Sequence, residues 1–170
     1  MRKFLPLPII ATLLLAACSS TDQNTGGVSG AGGGANPYGS GAGTNNRGLD
    51  AATQLKNELA TVGDRVFFTT DAYKLSAEAR ATLDKQIALL SRYPQIKVVI
   101  EGHADERGTR EYNLALGDRR AQSVKNYLTD NGIQGGRVRI VSYGKEKPTA
   151  LGSNEAAWAQ NRRGVTVVDQ

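Results

Sequence analysis

From residue 49 onward, apolar positions recur with the spacings of helices and strands. Leu49, Ala52, Leu55 and Leu59 stand at helical intervals and predict a short lead-in helix over 49–60, within a segment that extends to residue 64. Arg65-Val66-Phe67-Phe68 reads as a strand, and residues 69–75 as a loop. Ser76 is placed to cap a helix from 77 to about 92, with Ala79, Leu83, Ile87 and Leu90 on one face, and Pro94 stops it. The run 96–101 is apolar almost throughout, which puts this strand inside a sheet rather than at its edge. Gly117 is poor inside a helix and acceptable at its start. Residues 110–116 are therefore read as irregular or a single turn, and the main helix as 118–130. Ala121, Val124 and Leu128 face the sheet, and Gly132 ends that helix. Residues 137–143 alternate as a strand, 144–152 form a long turn, Ser153 caps a helix over 154–160, and 164–168 form the last strand. The expectation is an α/β domain over 65–170, an α+β two-layer sandwich. Its order is β-α-β-α-β-α-β, with about four strands in a mixed sheet and the helices on one face. At roughly 105 residues such a domain holds its own core without disulfides.

The first 48 residues have none of this pattern. Residues 1–17 combine Arg2 and Lys3 with a mostly apolar run from Phe4 to Leu15 that is too short to cross a membrane, and read as a secretion signal. The run ends in Leu15-Ala16-Ala17-Cys18, which resembles a bacterial lipobox, and Cys18 is the only cysteine in the chain. A lone cysteine there is an acyl acceptor before it is a disulfide or metal ligand. Residues 19–48 are Gly, Ser, Thr, Asn and Ala almost throughout, and bury too little surface to offset the entropy of ordering. The stretch 18–48 is accordingly a lipidated cysteine and flexible tether, with a typical span of roughly 30 Å.

Charge narrows the function only slightly. The chain carries a formal +5, and setting aside Arg2 and Lys3 leaves 19 basic against 16 acidic side chains. The basic residues are interspersed with acids and are not interleaved with aromatics on one face, so nucleic acid is not an indicated partner. One histidine and no second cysteine argue against a metal site, and no cofactor motif is present. His103 lies near Asp105 and Glu106, but no activated nucleophile accompanies it. Its simpler role is to order the loop by hydrogen bonding.

The densest chemistry lies over 100–121, IEGHADERGTREYNLALGDRRA. A strand feeds a loop carrying Asp105, Glu106, Arg107, Arg110 and Glu111, and loops at strand ends are where α/β sheets place ligands. Charge of both signs in one loop suits a small zwitterion. With the helix starting at 118, Arg120 falls in its first turn, and free backbone N–H groups beside it make an anion site facing Asp105.

The run GHADERGTREYNLALGDRRAQSVKNYL, with VSYGKEKP and NRR further on, resembles the OmpA-like peptidoglycan-binding domain over roughly 65–168. Within that family it is similar to the peptidoglycan-associated lipoproteins of the Tol–Pal system. The resemblance implies the same two-layer fold, a non-enzymatic role, and a site for the diaminopimelate of peptidoglycan stem peptides. That side chain ends in an ammonium and a carboxylate. The matching positions are Asp105 and Arg120, with Asp71 as a further acid. The usual aromatic before that Asp is absent in Phe68-Thr69-Thr70-Asp71, and an Asx turn or helix cap is the competing role for Asp71. The resemblance also implies outer-membrane sorting of an acylated Cys18, with Ser at 19, and TolB and TolA as partners. Two rival functions are an envelope protein scaffold with minor wall binding, and a cell-wall hydrolase using Asp105 and Glu106.

Overall fold

A computed structural model describes residues 46–169. The proposed signal, Cys18 and most of the tether lie outside the described residues. Helix α1 spans Asn46–Val62, starting a few residues before the predicted one. It is followed by β1 (Arg65–Phe67), α2 (Ala77–Arg92), β2 (Val98–His103) and α3 (Arg110–Asp130). After a short 3-10 turn come β3 (Val138–Gly144), α4 (Glu155–Asn161) and β4 (Arg163–Val168). The sheet has four strands in the order β1-β4-β2-β3. β4 runs antiparallel to both β1 and β2, and β3 runs parallel to β2, so the sheet is mixed as expected. β2 lies between β4 and β3, which fits its apolar run.

The register Ile100 opposite Thr166 and Ile140 sets which side chains face the helices. Val98 and Ile100 point into a core shared with Leu55 and Leu59 of α1, Leu83 and Leu90 of α2, and Val124 and Leu128 of α3. All buried hydrophobic side chains of this cluster fall between Leu55 and Val168. One polar pair sits within it. Gln86 accepts from the Thr166 hydroxyl at 2.7 Å and donates to the Gly63 carbonyl at 2.6 Å, so its burial leaves no amide group unpaired. Ser76 caps α2 as predicted, accepting from the Ala79 N–H.

α3 corrects the sequence reading. It is continuous from Arg110 to Asp130, capped by the Thr109 hydroxyl accepting from the Tyr112 N–H, with Glu111 in its first turn. Gly117 is therefore in the helix interior. Its presence there costs about 1 kcal/mol in helix propensity, and tertiary packing explains it. A Cβ on Gly102 of β2 would stand 1.8 Å from the Gly117 carbonyl oxygen, and one on Gly117 would stand 2.4 Å from the Ser142 hydroxyl. Strand and helix backbones touch at these two glycines. α3 is thereby seated over the C-terminal end of β2, where the chain turns out toward Asp105.

Candidate functional site

The close approach of α3 to β2 opens a cleft of about 320 Å³ at the end of the sheet. Asp71, Asp105 and Arg120 all line it, together with Thr70, Arg107 and Tyr112. Two loops and one helix supply these side chains. The β1–α2 loop turns tightly at Thr69–Ala72, closed by the Ala72 N–H donating to the Thr69 carbonyl. Asp71 takes a φ of +56° in this turn, a left-handed conformation that Asp tolerates better than most residues. Turn geometry thus uses the Asp71 backbone while its carboxylate, which accepts from the Tyr112 hydroxyl, faces the cleft.

Arg120 was expected in the first helical turn beside free N–H groups. It sits ten residues into α3, roughly 15 Å along the axis. The anion site at a helix start is therefore not how Arg120 joins the cleft. An unbroken helix nonetheless brings Arg120 to the same cleft as Asp105. The reason is that β2 ends against the third turn of α3 and not against its start. The Arg120 side chain is fully buried. Its Nε donates to the Ala72 carbonyl at 2.8 Å, Nη1 to His103 at 2.8 Å and Nη2 to Thr69 at 3.2 Å. The guanidinium also lies 5.3 Å over the Phe68 ring. It ties the 69–72 turn to the end of β2, and two of its five N–H groups make no hydrogen bond among the described residues. Burial pulls its pKa down to about 10, partly opposed by the Asp105 and Asp71 charges, so it stays cationic at neutral pH.

Asp105 is held from two sides. Its Oδ1 accepts from the Arg107 backbone N–H and Nε, each at 3.1 Å. Its Oδ2 accepts from Arg107 Nη2 at 2.6 Å and Arg162 Nη1 at 3.4 Å. Burial alone would raise the carboxyl's pKa, but these bonds outweigh burial and hold it below the usual range. Arg162 is itself buried and also grips Glu155 at 2.6 Å and the Phe68 carbonyl at 3.1 Å. The Asp105 loop is fastened further by Asn113, which donates to the Arg107 carbonyl, and by Lys145, which donates to those of Glu106 and Gly108.

Sequence reasoning counted Arg107 among the loop charges and gave it no role. The signal was present in an acidic residue followed two positions later by Arg, a spacing at which an Asx-type turn brings side chain and backbone together. Arg162 entered the sequence reading only within the run NRR, and the structure pairs it with Asp105 and Glu155. Tyr112 was not singled out at all.

His103 does not order the loop through its ring. It is 1 % exposed on the sheet face away from the helices and stacks on Tyr143 at 5.5 Å between centroids. Neither ring nitrogen has a hydrogen-bond partner among the described residues, and Glu101 lies 3.6 Å from Nε2. Burial, then the charges of Arg163, Lys147 and Arg65, lower its pKa from 6.5 to about 4. Between those two pH values the unfolded chain binds a proton that the folded chain does not, so stability falls as pH drops through this window. The expected loss is about 3 kcal/mol from pH 6.5 to 4. Urea unfolding across that range should show this slope in the wild type and a flattened one in His103→Phe. Equal slopes would contradict the assignment.

Among the described residues no group of three His, Cys, Asp or Glu is placed to hold a metal, and no helix is long and apolar enough to cross a membrane.

Comparison with known proteins places this arrangement. Residues 67–162 match the OmpA family model. A peptidoglycan-associated lipoprotein of Rhizobium meliloti is 46% identical over 162 residues, covering 95% of this chain and 85% of the relative. The crystal structure of the peptidoglycan-associated lipoprotein from Burkholderia pseudomallei superposes with a TM-score of 0.61 at 44% identity, covering 62% of this chain and 90% of that one. The C-terminal domain of Helicobacter pylori MotB, at 16% identity and a TM-score of 0.59, covers 63% of this chain and 84% of that one and shares the fold. The chain belongs to the OmpA family, and within it to the peptidoglycan-associated lipoproteins.

Proposed function

We propose that this chain is an outer-membrane lipoprotein that grips the diaminopimelate of peptidoglycan stem peptides without covalent chemistry. The observation that carries this reading is the cleft itself. A guanidinium fixed in position at Arg120 shares a small concave site with the carboxylates of Asp71 and Asp105. A ligand side chain ending in both an ammonium and a carboxylate meets opposite charge at each group there, and charge-assisted pairs of this kind are the stronger hydrogen bonds. In this reading Arg120 takes the carboxylate, and the two aspartates take the ammonium. Acyl chains on Cys18 hold the protein in the outer membrane, and residues 18–48 bridge to the wall. Many copies on one membrane turn weak single grips into firm attachment through effective concentration. The names of the relatives, which describe association with peptidoglycan, support this. Membership of the Tol–Pal system, with TolB and TolA as partners and a role in envelope integrity and cell division, is part of the same reading, and the kinship supports it.

The hydrolase alternative asks for a carboxyl of raised pKa to protonate a leaving group. Both candidates are shifted the other way. Asp105 is held down by Arg107 and Arg162, and Glu106 by hydrogen bonds from Ser153 and Trp158.

Calorimetric titration of a soluble fragment starting at residue 46 with a diaminopimelate-containing muropeptide tests the site. Asp105→Ala should weaken binding at least about tenfold, the scale of one lost charge-assisted contact, and Asp71→Ala by less. Binding that ignores both substitutions would move the ligand elsewhere on the surface.

A further inference from the structure

The carboxylate assigned to the ligand's ammonium is already occupied. Asp105 accepts four hydrogen bonds, three from Arg107 and one from Arg162, about as many as a carboxylate can take. Two of the three Arg107 bonds come from its guanidinium, at 3.1 and 2.6 Å. The cations around Asp105 differ in their freedom to leave. Arg120 is locked on three backbone carbonyls. Arg162 has a side chain only 6% exposed and is held at Glu155 and Phe68. The Arg107 side chain is 39% exposed, and apart from Asp105 its guanidinium hydrogen-bonds, among the described residues, only to the Thr70 hydroxyl at 3.4 Å and lies over the face of Trp158 at 4.2 Å. Its Nη1 makes no hydrogen bond among the described residues.

We propose that Arg107 is a specificity-determining residue of this site: its guanidinium fills the ammonium position at Asp105 in the free protein and becomes a carboxylate partner when a zwitterion enters. This deepens the diaminopimelate reading and rests on it. The exchange is of ion pairs only. The ligand ammonium displaces the Arg107 guanidinium from Asp105. The ligand carboxylate then receives that guanidinium. One internal pair is replaced by two across the interface. An ammonium arriving without a carboxylate must break the same internal pair and leaves Arg107 with nothing in exchange. Specificity arises because the wrong ligand meets a penalty, not only because the right one gains contacts. The apparent affinity for a simple amine is reduced by the small fraction of time Asp105 stands open.

Lysine is the informative competitor, since it is diaminopimelate without the side-chain carboxylate and occupies the same stem position in other walls. The test is calorimetry on the full-length protein in detergent micelles, with two muropeptides that differ only in diaminopimelate or lysine at that position. Arg107→Met keeps an apolar stem over Trp158 and removes the charge. The ratio of lysine to diaminopimelate dissociation constants should fall by about tenfold or more in Arg107→Met, chiefly because the lysine peptide binds more tightly once Asp105 is open. An unchanged ratio, with diaminopimelate binding still dependent on Asp105, overturns the role of Arg107 and leaves the site reading intact. Wild-type binding indifferent to Asp105→Ala removes the site reading and this inference with it.

Discussion

Gly102→Ala is expected to lower the stability of the domain by about 3 kcal/mol or more, a large part of what a domain of this size has. The added methyl would stand 1.8 Å from the Gly117 carbonyl oxygen and 2.6 Å from its carbonyl carbon. Neither atom belongs to a flexible side chain. Both are helix backbone, in a segment pressed on β2 and packed beside the buried Ala121. Relief requires α3 to lift from the sheet, and that separates Val124 and Leu128 from Val98 and Ile100 in the core. Urea titration measures the effect, with Gly136→Ala as control, because a Cβ there meets nothing within 4 Å. Comparable losses in both variants would show that backbone freedom, and not the helix–strand contact, sets the requirement at residue 102. The same lift would pull Arg120 away from the cleft, so any folded Gly102→Ala protein should also bind ligand poorly.

The second large effect is expected at Arg120, which acts on structure and ligand through one guanidinium. Arg120→Ala strips hydrogen bonds from the carbonyls of Thr69, Ala72 and His103 at once. An unsatisfied buried polar group costs about 1–3 kcal/mol, and partial relaxation of the loop keeps the total below the simple sum, near 3–5 kcal/mol. Arg120→Lys should recover little. A single ammonium on a flexible stem does not present donors in three fixed in-plane directions. Urea unfolding gives the stability change, and amide exchange at Ala72 reports whether the 69–72 turn loosens. Recovery of both by Lys would mean that charge near Asp105 and Asp71 matters and the carbonyl clamp does not. Binding loss in Arg120→Ala is thus structural as well as direct, and Asp105→Ala is the cleaner probe of ligand contact.

Much of the fold was legible because local signals agreed with global ones. Ser76 as a cap, Pro94 as a stop and the apolar face Ala79–Leu83–Leu90 define α2 by themselves, and the apolar run of β2 places it inside the sheet. The three residues singled out through motif, Asp71, Asp105 and Arg120, line one cleft. Their arrangement was not legible. Gly117 was read by its helix propensity, a local quantity, whereas its position is decided by Gly102, which lies fifteen residues earlier in the chain and in contact across the packed layers. That misreading moved the helix start and with it the supposed anion site. The roles of Arg107 and Arg162 were hidden for a related reason. A run of mixed charges does not say which cation pairs with which acid, and Arg162 reaches Asp105 only because β4 pairs with β2.

The sequence by itself determined the order and type of the elements, the residues that meet in the core and the chemical types that gather at the end of β2. These rest on periodicity, capping and hydrophobic burial, which act over a few residues and leave a trace in composition. Only the tertiary structure decided that α3 runs unbroken across two touching glycines, that Arg120 enters the site from mid-helix, and that Arg107 already sits on Asp105. Each of these depends on distances between segments far apart in the chain, and close packing sets those distances only when the whole layer has formed.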